Sequence, residues 1–361
     1  MRHLPHHDFA AHADARAEGP ARHPLGRAAI YMGLSGALLV VALISICAGQ
    51  YPISPEKVLA IVVAQIGGGQ QAWTPMDERI VTLIRGPRTL LVGFCGAGLS
   101  LAGAAMQGVF RNPLAAPELL GVSSGAAFGG ALAILLGAPG AILLAGSFST
   151  GLLALLLVGA VARIGGRSDT TAVILAGVIV GAFFTALVSV TQFYADPHQS
   201  LPAIVFWLMG SFATAGWHHF AIAAPGIVIG GTVLFMMRFR INVLSLGDEE
   251  ARALGIRVER DRWMIFMAVA LISGAVVSVA GIVGWVGLVV PHLARLLVGP
   301  DNRHVLPASC LLGATYLTLI DTLARSATAA EIPLGALTAI LGAPFVAFLL
   351  RRMRRVAEVT Q

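Results

Sequence analysis

Long stretches of the chain carry no Asp, Glu, Lys or Arg, among them 28–55, 89–110, 119–162, 170–195, 197–237, 263–294 and 332–350. A helix needs about 20 consecutive apolar residues to cross a bilayer, and each stretch meets or nearly meets that length. The strands of a membrane barrel would alternate apolar and polar residues in segments of about 10. These stretches are instead continuous and rich in Leu, Ala, Val and Gly, which predicts an all-α, polytopic membrane protein.

Length and punctuation divide the stretches into spans. The stretch 119–162 breaks at Leu136-Gly137-Ala138-Pro139-Gly140 and gives two. The stretch 197–237 opens with Pro197, His198, Gln199 and Ser200 and an interfacial segment between Trp207 and Trp217, leaving one span from about His218. The stretch 263–294 is too long for one crossing and is punctuated by Gly281, Gly284 and Gly287, so it divides into one full span and one short one. Spans over 29–49, 89–110, 170–193, 304–324 and 332–350 bring the count to ten transmembrane helices, which puts both termini on one side. The first stretch is too long for the apolar core of a cleaved signal and is read as a retained span. Residues 1–27 hold five of the ten histidines without fixed ligand spacing and read as a disordered leader; residues 353–361 read as a tail.

Composition supports this reading. The chain is 57% hydrophobic and 12% charged, against roughly 25% charged in average soluble domains, which excludes a water-soluble globule. With the termini cytoplasmic, 19 of the 24 basic residues fall on the cytoplasmic side, as the positive-inside rule requires. Lys57, Arg79, Arg85, Arg88 and Arg325 are then external. Lys57 is the only lysine and no glycine-rich loop precedes it, so the chain has no phosphate-binding loop of its own. Motifs for metalloproteases, dithiol redox sites, serine hydrolases and dinucleotide binding are also absent from the sequence, which argues against an enzyme. Cys47, Cys95 and Cys310 all fall in apolar runs, so neither a disulfide nor a metal site is expected of them.

Five segments carry more information. Within the charged connection 238–262, Ser245-Leu246-Gly247-Asp248-Glu249-Glu250-Ala251-Arg252-Ala253-Leu254-Gly255 predicts a short helix. Ser245 and Asp248 suggest a capping box, and Gly255 suits a left-handed C-terminal position. The segment is either a solvated connector or a helix docked into a cytoplasmic partner. Arg85-Gly86-Pro87-Arg88 predicts a rigid turn into the second span, its arginines either snorkelling or, with Arg325, forming a surface for acidic residues of an external protein. Asp321 and Arg325, four residues apart, read as an intrahelical ion pair. From Gln107 through Arg111, Asn112, Pro113 and Leu114, irregular backbone at a span end is either a gate or a simple connecting turn. Thr185, Ser189, Thr191 and Gln192 either line a path or bond between helices.

At these residues the chain resembles the permease subunits of bacterial type II ABC importers for iron-siderophore, heme and cobalamin, the FecCD family. The matching stretches are Arg85-Gly86-Pro87-Arg88, Gly103-Ala-Ala-Met-Gln107, Arg111-Asn-Pro-Leu-Ala-Ala-Pro117, Leu120-Gly-Val-Ser-Ser-Gly-Ala126, Phe206-Trp-Leu-Met-Gly-Ser211, Leu246 to Gly255, Gly281 to Arg295, and Glu331-Ile-Pro-Leu-Gly335. The resemblance implies a ten-helix permease domain over 28–352, with 238–262 as a cytoplasmic coupling loop. It implies a multi-pass location in the bacterial inner membrane and a pathway between two permease copies, identical or related. Two cytoplasmic ATPase subunits would carry ATP and Mg, with no cofactor, metal or nucleic acid on this chain. Ser245 to Gly255 would seat in the ATPase, and Arg85, Arg88 and Arg325 would meet acidic residues of a periplasmic binding protein. Asn112, Pro113 and Leu114 would line the cytoplasmic gate with the loop ending at Thr170 and Thr171; Gln107 belongs to the same pathway group. The cargo implied is a ferric siderophore, with heme or cobalamin as alternatives.

An ion-coupled secondary transporter is the rival reading. It normally needs acidic residues at mid-membrane, and the only acid within a predicted span is Asp321, near its outer end.

Overall fold

The computed structural model describes residues 24–67, 73–163, 170–328 and 330–359. Among these residues all regular structure is helical. In chain order the helices are α1 (Pro24–Cys47), α2 (Pro55–Gly67), α3 (Pro75–Arg79), a π-helical turn (Ile80–Arg85), α4 (Gly86–Val109), a 3₁₀ turn (Pro117–Leu120), α5 (Val122–Leu135), α6 (Gly140–Ala162) and α7 (Thr170–Phe193). They continue as α8 (Ser200–Leu208), α9 (Trp217–Met236), α10 (Arg238–Leu244), α11 (Asp248–Ala253), α12 (Val258–Ala280), α13 (Val286–Val298), α14 (Asn302–Ser326) and α15 (Leu334–Val359).

Seven of the helical segments are long and apolar enough to cross a membrane, and three shorter apolar ones (Val122–Leu135, Val286–Val298 and Leu334–Phe348) accompany them. The predicted span 170–193 coincides with α7, and the break at Leu136 to Gly140 separates α5 from α6. Most of the leader lies outside the described residues. Its last four residues are helical rather than disordered, because α1 begins at Pro24. The last helix likewise runs on to Val359, through most of the segment read as a tail.

The 89–110 prediction is corrected to one continuous helical segment, Pro75–Val109. Pro87 was expected to make a turn but sits in the first turn of α4, directly after the π-helical turn. There the Gly86 N–H reaches back five residues to the Val81 carbonyl. Proline cannot donate a helical hydrogen bond and crowds the preceding turn, and the wider π-turn absorbs that conflict without ending the helix.

Helices α4 and α12 form the centre, each 78% buried over its most apolar window, whereas the same window of α1 is 6% buried and lies at the rim. Against α4 pack α14, α9, α13 and α12; α6 and α9 also pack on α12, and α5 packs on α6 and α7. In lipid, apolar burial between helices gains little, so close backbone approach and dispersion hold such a bundle together. The crossing of α4 and α13 shows this directly. A Cβ added to Gly103 would collide with the backbone of Gly287, and one on Gly287 would lie 3.0 Å from the Leu99 carbonyl oxygen.

Candidate functional site

Helices α4 and α14 run antiparallel, so the bundle has two charged ends. Arg88 and Arg325 meet at one; Gly108 and Asn302 meet at the other.

At the first end the Arg88 guanidinium forks onto two carboxylates. Its Nη2 and Nε donate to the two oxygens of Asp321 at 2.8 and 3.1 Å, and its Nη1 and Nη2 donate to Glu331 at 2.7 and 2.9 Å. Asp321 is only 1% exposed. Arg325 approaches Asp321 at 3.7 Å, so the predicted intrahelical pair exists but is the looser of the two. Burial alone would raise the Glu331 carboxyl; hydrogen bonds and charge from Arg88, with Arg325 and the Ser211 hydroxyl adding to them, bring it below the ordinary carboxylate value.

The other two arginines close the end of α1. Arg85 donates to the carbonyls of Ile46, Cys47 and Tyr51 at 2.9, 3.1 and 2.7 Å, and Arg325 donates to the Ala48 carbonyl at 2.7 Å and to Ser45. The last carbonyls of a helix have no partners of their own and carry its negative dipole end, which is what these cations satisfy. Arg85, Arg88 and Arg325 therefore do not form the free basic surface the sequence suggested. Arg85 and Arg88 are each 7% exposed, and all three donate to groups elsewhere in the chain. Three guanidiniums nonetheless face two carboxylates, so the cluster retains excess positive charge.

At the second end, α10 and α11 form a compact step between α9 and α12. Ile241, Leu244 and Ala251 are buried and anchor it in the main core. Asp248 accepts from the buried Arg262 at 2.7 Å, and Arg240 donates to the buried Asp261 at 2.9 Å. The predicted capping box is absent: Ser245 ends α10 and donates back to the Asn242 carbonyl, while Gly247, at φ +146°, precedes α11. Gly255 does take the left-handed conformation, at φ +81°. Six residues are too few to hold a helix alone, so its shape comes from these anchors. The outward side presents Leu246 (59% exposed), Leu254 (62%), Glu249, Glu250 and Arg252.

Behind this step, Asn242 donates to Asp301 at 2.6 Å and accepts from the backbone and side chain of Asn302, both at 2.8 Å. Asp301 caps α14 and holds Arg303 at 2.5 Å. Burial pushes the Asp301 carboxyl up, but the hydrogen bonds from Arg303 and Asn242 and the Arg303 charge outweigh it and set it well below the ordinary carboxylate range. This ties α10 to the start of α14, a link invisible in the sequence because Asn242 and Asp301 are 59 residues apart.

The predicted gate residues lie on the same end. Asn112 folds an Asx turn, its Oδ1 accepting from the Leu114 N–H at 2.9 Å, and Arg111 is left-handed at φ +51°. Asn112 and Leu114 are exposed and Pro113 is half-buried. A Cβ on Gly247 would lie 3.5 Å from Arg111 Nη1, so this turn abuts the α10–α11 step. Thr170 and Thr171 begin α7, half-buried and exposed; residues 164–169 before them lie outside the described residues. Gln107 is buried at the α4–α13 crossing and donates to the Leu288 carbonyl at 3.1 Å. Thr185, Ser189 and Thr191 bond to carbonyls of their own helix.

Comparison with known proteins matches this arrangement across nearly all of its length. Residues 37–352 match the FecCD transport family. The chain belongs to that family. It is 38% identical over 326 residues to the molybdate import permease MolB of Haemophilus influenzae, covering 90% of this chain and 96% of that one. It is 42% identical over 276 residues to the cobalamin import permease BtuC of Halobacterium salinarum, covering 75% and 73%. A solved inward-facing metal-chelate type ABC transporter superposes with TM-score 0.81 at 37% identity, covering 90% of this chain and 99% of that one. The chain is thus a multi-pass membrane permease of the ABC transport class.

Proposed function

We propose that this chain is the membrane subunit of a type II ABC importer that carries a ferric siderophore or related iron chelate into the cytoplasm, and is not itself an enzyme. In this reading the ten apolar helices all span the inner membrane and both termini are cytoplasmic. The observation that carries the reading is the α10–α11 step: a helix too short to stand alone, pinned by Ile241, Leu244, Ala251 and the Arg262–Asp248 pair, with two exposed leucines and three exposed charges facing away. Rigidly held apolar groups rimmed by charge suit a protein interface better than a solvated connector. Its partner is the ATPase, one copy for each of two permeases.

ATP binding on those partners closes them and moves the two steps together. Because the Arg111 side chain reaches Gly247 and Asn242 is tied to Asp301, displacement of the step is transmitted to the start of α14 and the 111–114 turn as rigid-body motion. At the opposite end a binding protein docks through acidic residues. Since the arginines there are internally paired, such residues act by competing with Glu331 for Arg88; Glu331 is 28% exposed, against 1% for Asp321.

A second cargo has a specific observation in its favour, the near full-length similarity to a molybdate permease. Uptake of a radiolabelled ferric siderophore, hemin, cobalamin and molybdate by proteoliposomes of the assembled transporter, run in parallel, decides between them. Accumulation of the ferric siderophore is expected; accumulation of molybdate alone replaces the iron-chelate cargo.

A further inference from the structure

Where α1, α10 and α14 converge at the Asp301 end, an open cavity of about 560 Å³ is lined by Arg27, Tyr31, Arg238, Arg303, His304 and Pro307. Its walls are built. Arg27 Nη1 lies 3.0 Å from His304 Nε2, and arginine can only donate, so Nε2 is the acceptor and the ring is neutral. Nδ1–H then donates to the Tyr31 hydroxyl at 3.3 Å, and that hydroxyl donates to the His304 carbonyl at 3.2 Å. The Arg238 and Arg303 guanidiniums lie 5.5 and 5.6 Å from the ring centre of Phe239.

The charges around the cavity do not balance. Asp301 neutralises Arg303, but among the described residues neither Arg27 nor Arg238 forms an ion pair. The Arg27 Nε is buried and has no hydrogen-bond partner among the described residues. The cavity therefore offers a phosphate two guanidiniums, Arg27 and Arg238, whose charge no carboxylate among the described residues neutralises.

Its position selects the source of that phosphate. Three apolar helices of spanning length, Gly26–Cys47, Trp217–Met236 and Asn302–Ser326, end or begin at this cavity. Close in sequence to its lining residues Tyr31 and Arg238, the side chains of Met32 (69%), Met236 (78%) and Phe239 (54%), on α1, α9 and α10, are exposed. A basic pocket between helix ends, beside exposed apolar side chains, fits a molecule that is anionic at its head and apolar just beyond. We propose that this cavity binds the phosphate of an anionic phospholipid, held by Arg27, Arg238 and Arg303, with its acyl chains along α1 and α9.

Native mass spectrometry of the purified full chain tests this, with phosphatidylglycerol, phosphatidylcholine and inorganic phosphate as probes. The wild type is expected to retain phosphatidylglycerol over phosphatidylcholine. Arg27→Gln with Arg238→Gln should lower that retention about tenfold, and Arg27→Lys with Arg238→Lys should recover much of it. Melting curves in phosphatidylcholine micelles check that the variants are folded. Equal retention of both lipids, or undiminished retention by a folded double glutamine variant, overturns the proposal. Displacement of the lipid by millimolar inorganic phosphate assigns the cavity to a free anion and overturns the lipid source. The readout involves no transport, so its failure is distinct from failure of the importer reading.

Discussion

Arg88 and Asp321, 233 residues apart in sequence, share three hydrogen bonds at 2.8, 3.1 and 3.3 Å in the buried contact between α4 and α14. Removing one partner of such a pair leaves an uncompensated buried charge, which costs about 3 to 5 kcal/mol, whereas removing both costs less. Asp321→Asn and Arg88→Gln should each lower the melting temperature of the detergent-purified protein. The double variant should lose clearly less than the sum. Strict additivity would mean that the two residues do not act as a pair.

The α4–α13 crossing gives a steric test. Gly103→Ala drives a methyl into the Gly287 backbone and should destabilise by about 1 to 3 kcal/mol, measured by thermal melting. Gly36→Ala, in α1 with nothing within 4 Å of the added carbon, should be neutral or slightly stabilising. Equal tolerance at both sites would contradict the close crossing.

Asp301 sets a pH dependence. Its folded carboxyl lies below the unfolded value of about 3.9. Its contribution is therefore complete above that value and lost as the pH falls through the folded one. The wild-type melting temperature should decline more steeply below about pH 4 than that of Asp301→Asn, which has already lost the charge. Parallel acid limbs would show that the Arg303 and Asn242 contacts do not hold the carboxylate.

Glu249→Arg with Leu254→Asp alters only the outward side of the α10–α11 step. Exposed substitutions of this kind change stability by about 0.5 kcal/mol or less, so the melting temperature should hold. Co-purification of the ATPase, quantified by gel densitometry, should fall at least about tenfold. An intact complex would make the step a connector and not a coupling element.

Much of the helical layout was legible because lipid tolerates few charges: the charge-free run from Thr170 gives α7, and Pro139 and Gly140 mark the break before α6. The same rule misplaced the start of the second span. Arg79, Arg85 and Arg88 read as solvent-facing, yet Arg85 and Arg88 are buried on partners contributed by α1, α14 and the segment before α15. Such pairing depends on which helices become neighbours, and local pattern carries no trace of it. Helix α2 escaped because its apolar part, Val58 to Ile66, is too short to cross a bilayer before the glycines that follow; Lys57 at its start reaches Asp77 at 3.1 Å. Between α9 and α12 the spacing of Ser245 and Asp248 was correct for a capping box, but Ser245 caps the end of α10 and its hydroxyl donates to the Asn242 carbonyl. Gly255 was legible because its left-handed backbone depends only on its own residue type.

The central claim is tested most directly by uptake of a radiolabelled ferric siderophore into proteoliposomes holding this permease with its ATPase and binding protein. The account predicts accumulation that requires both ATP and the binding protein and is unaffected by collapse of proton or sodium gradients. Accumulation driven by an ion gradient without ATP would contradict it, and would turn Asp321 from a structural ion-pair partner into the coupling site.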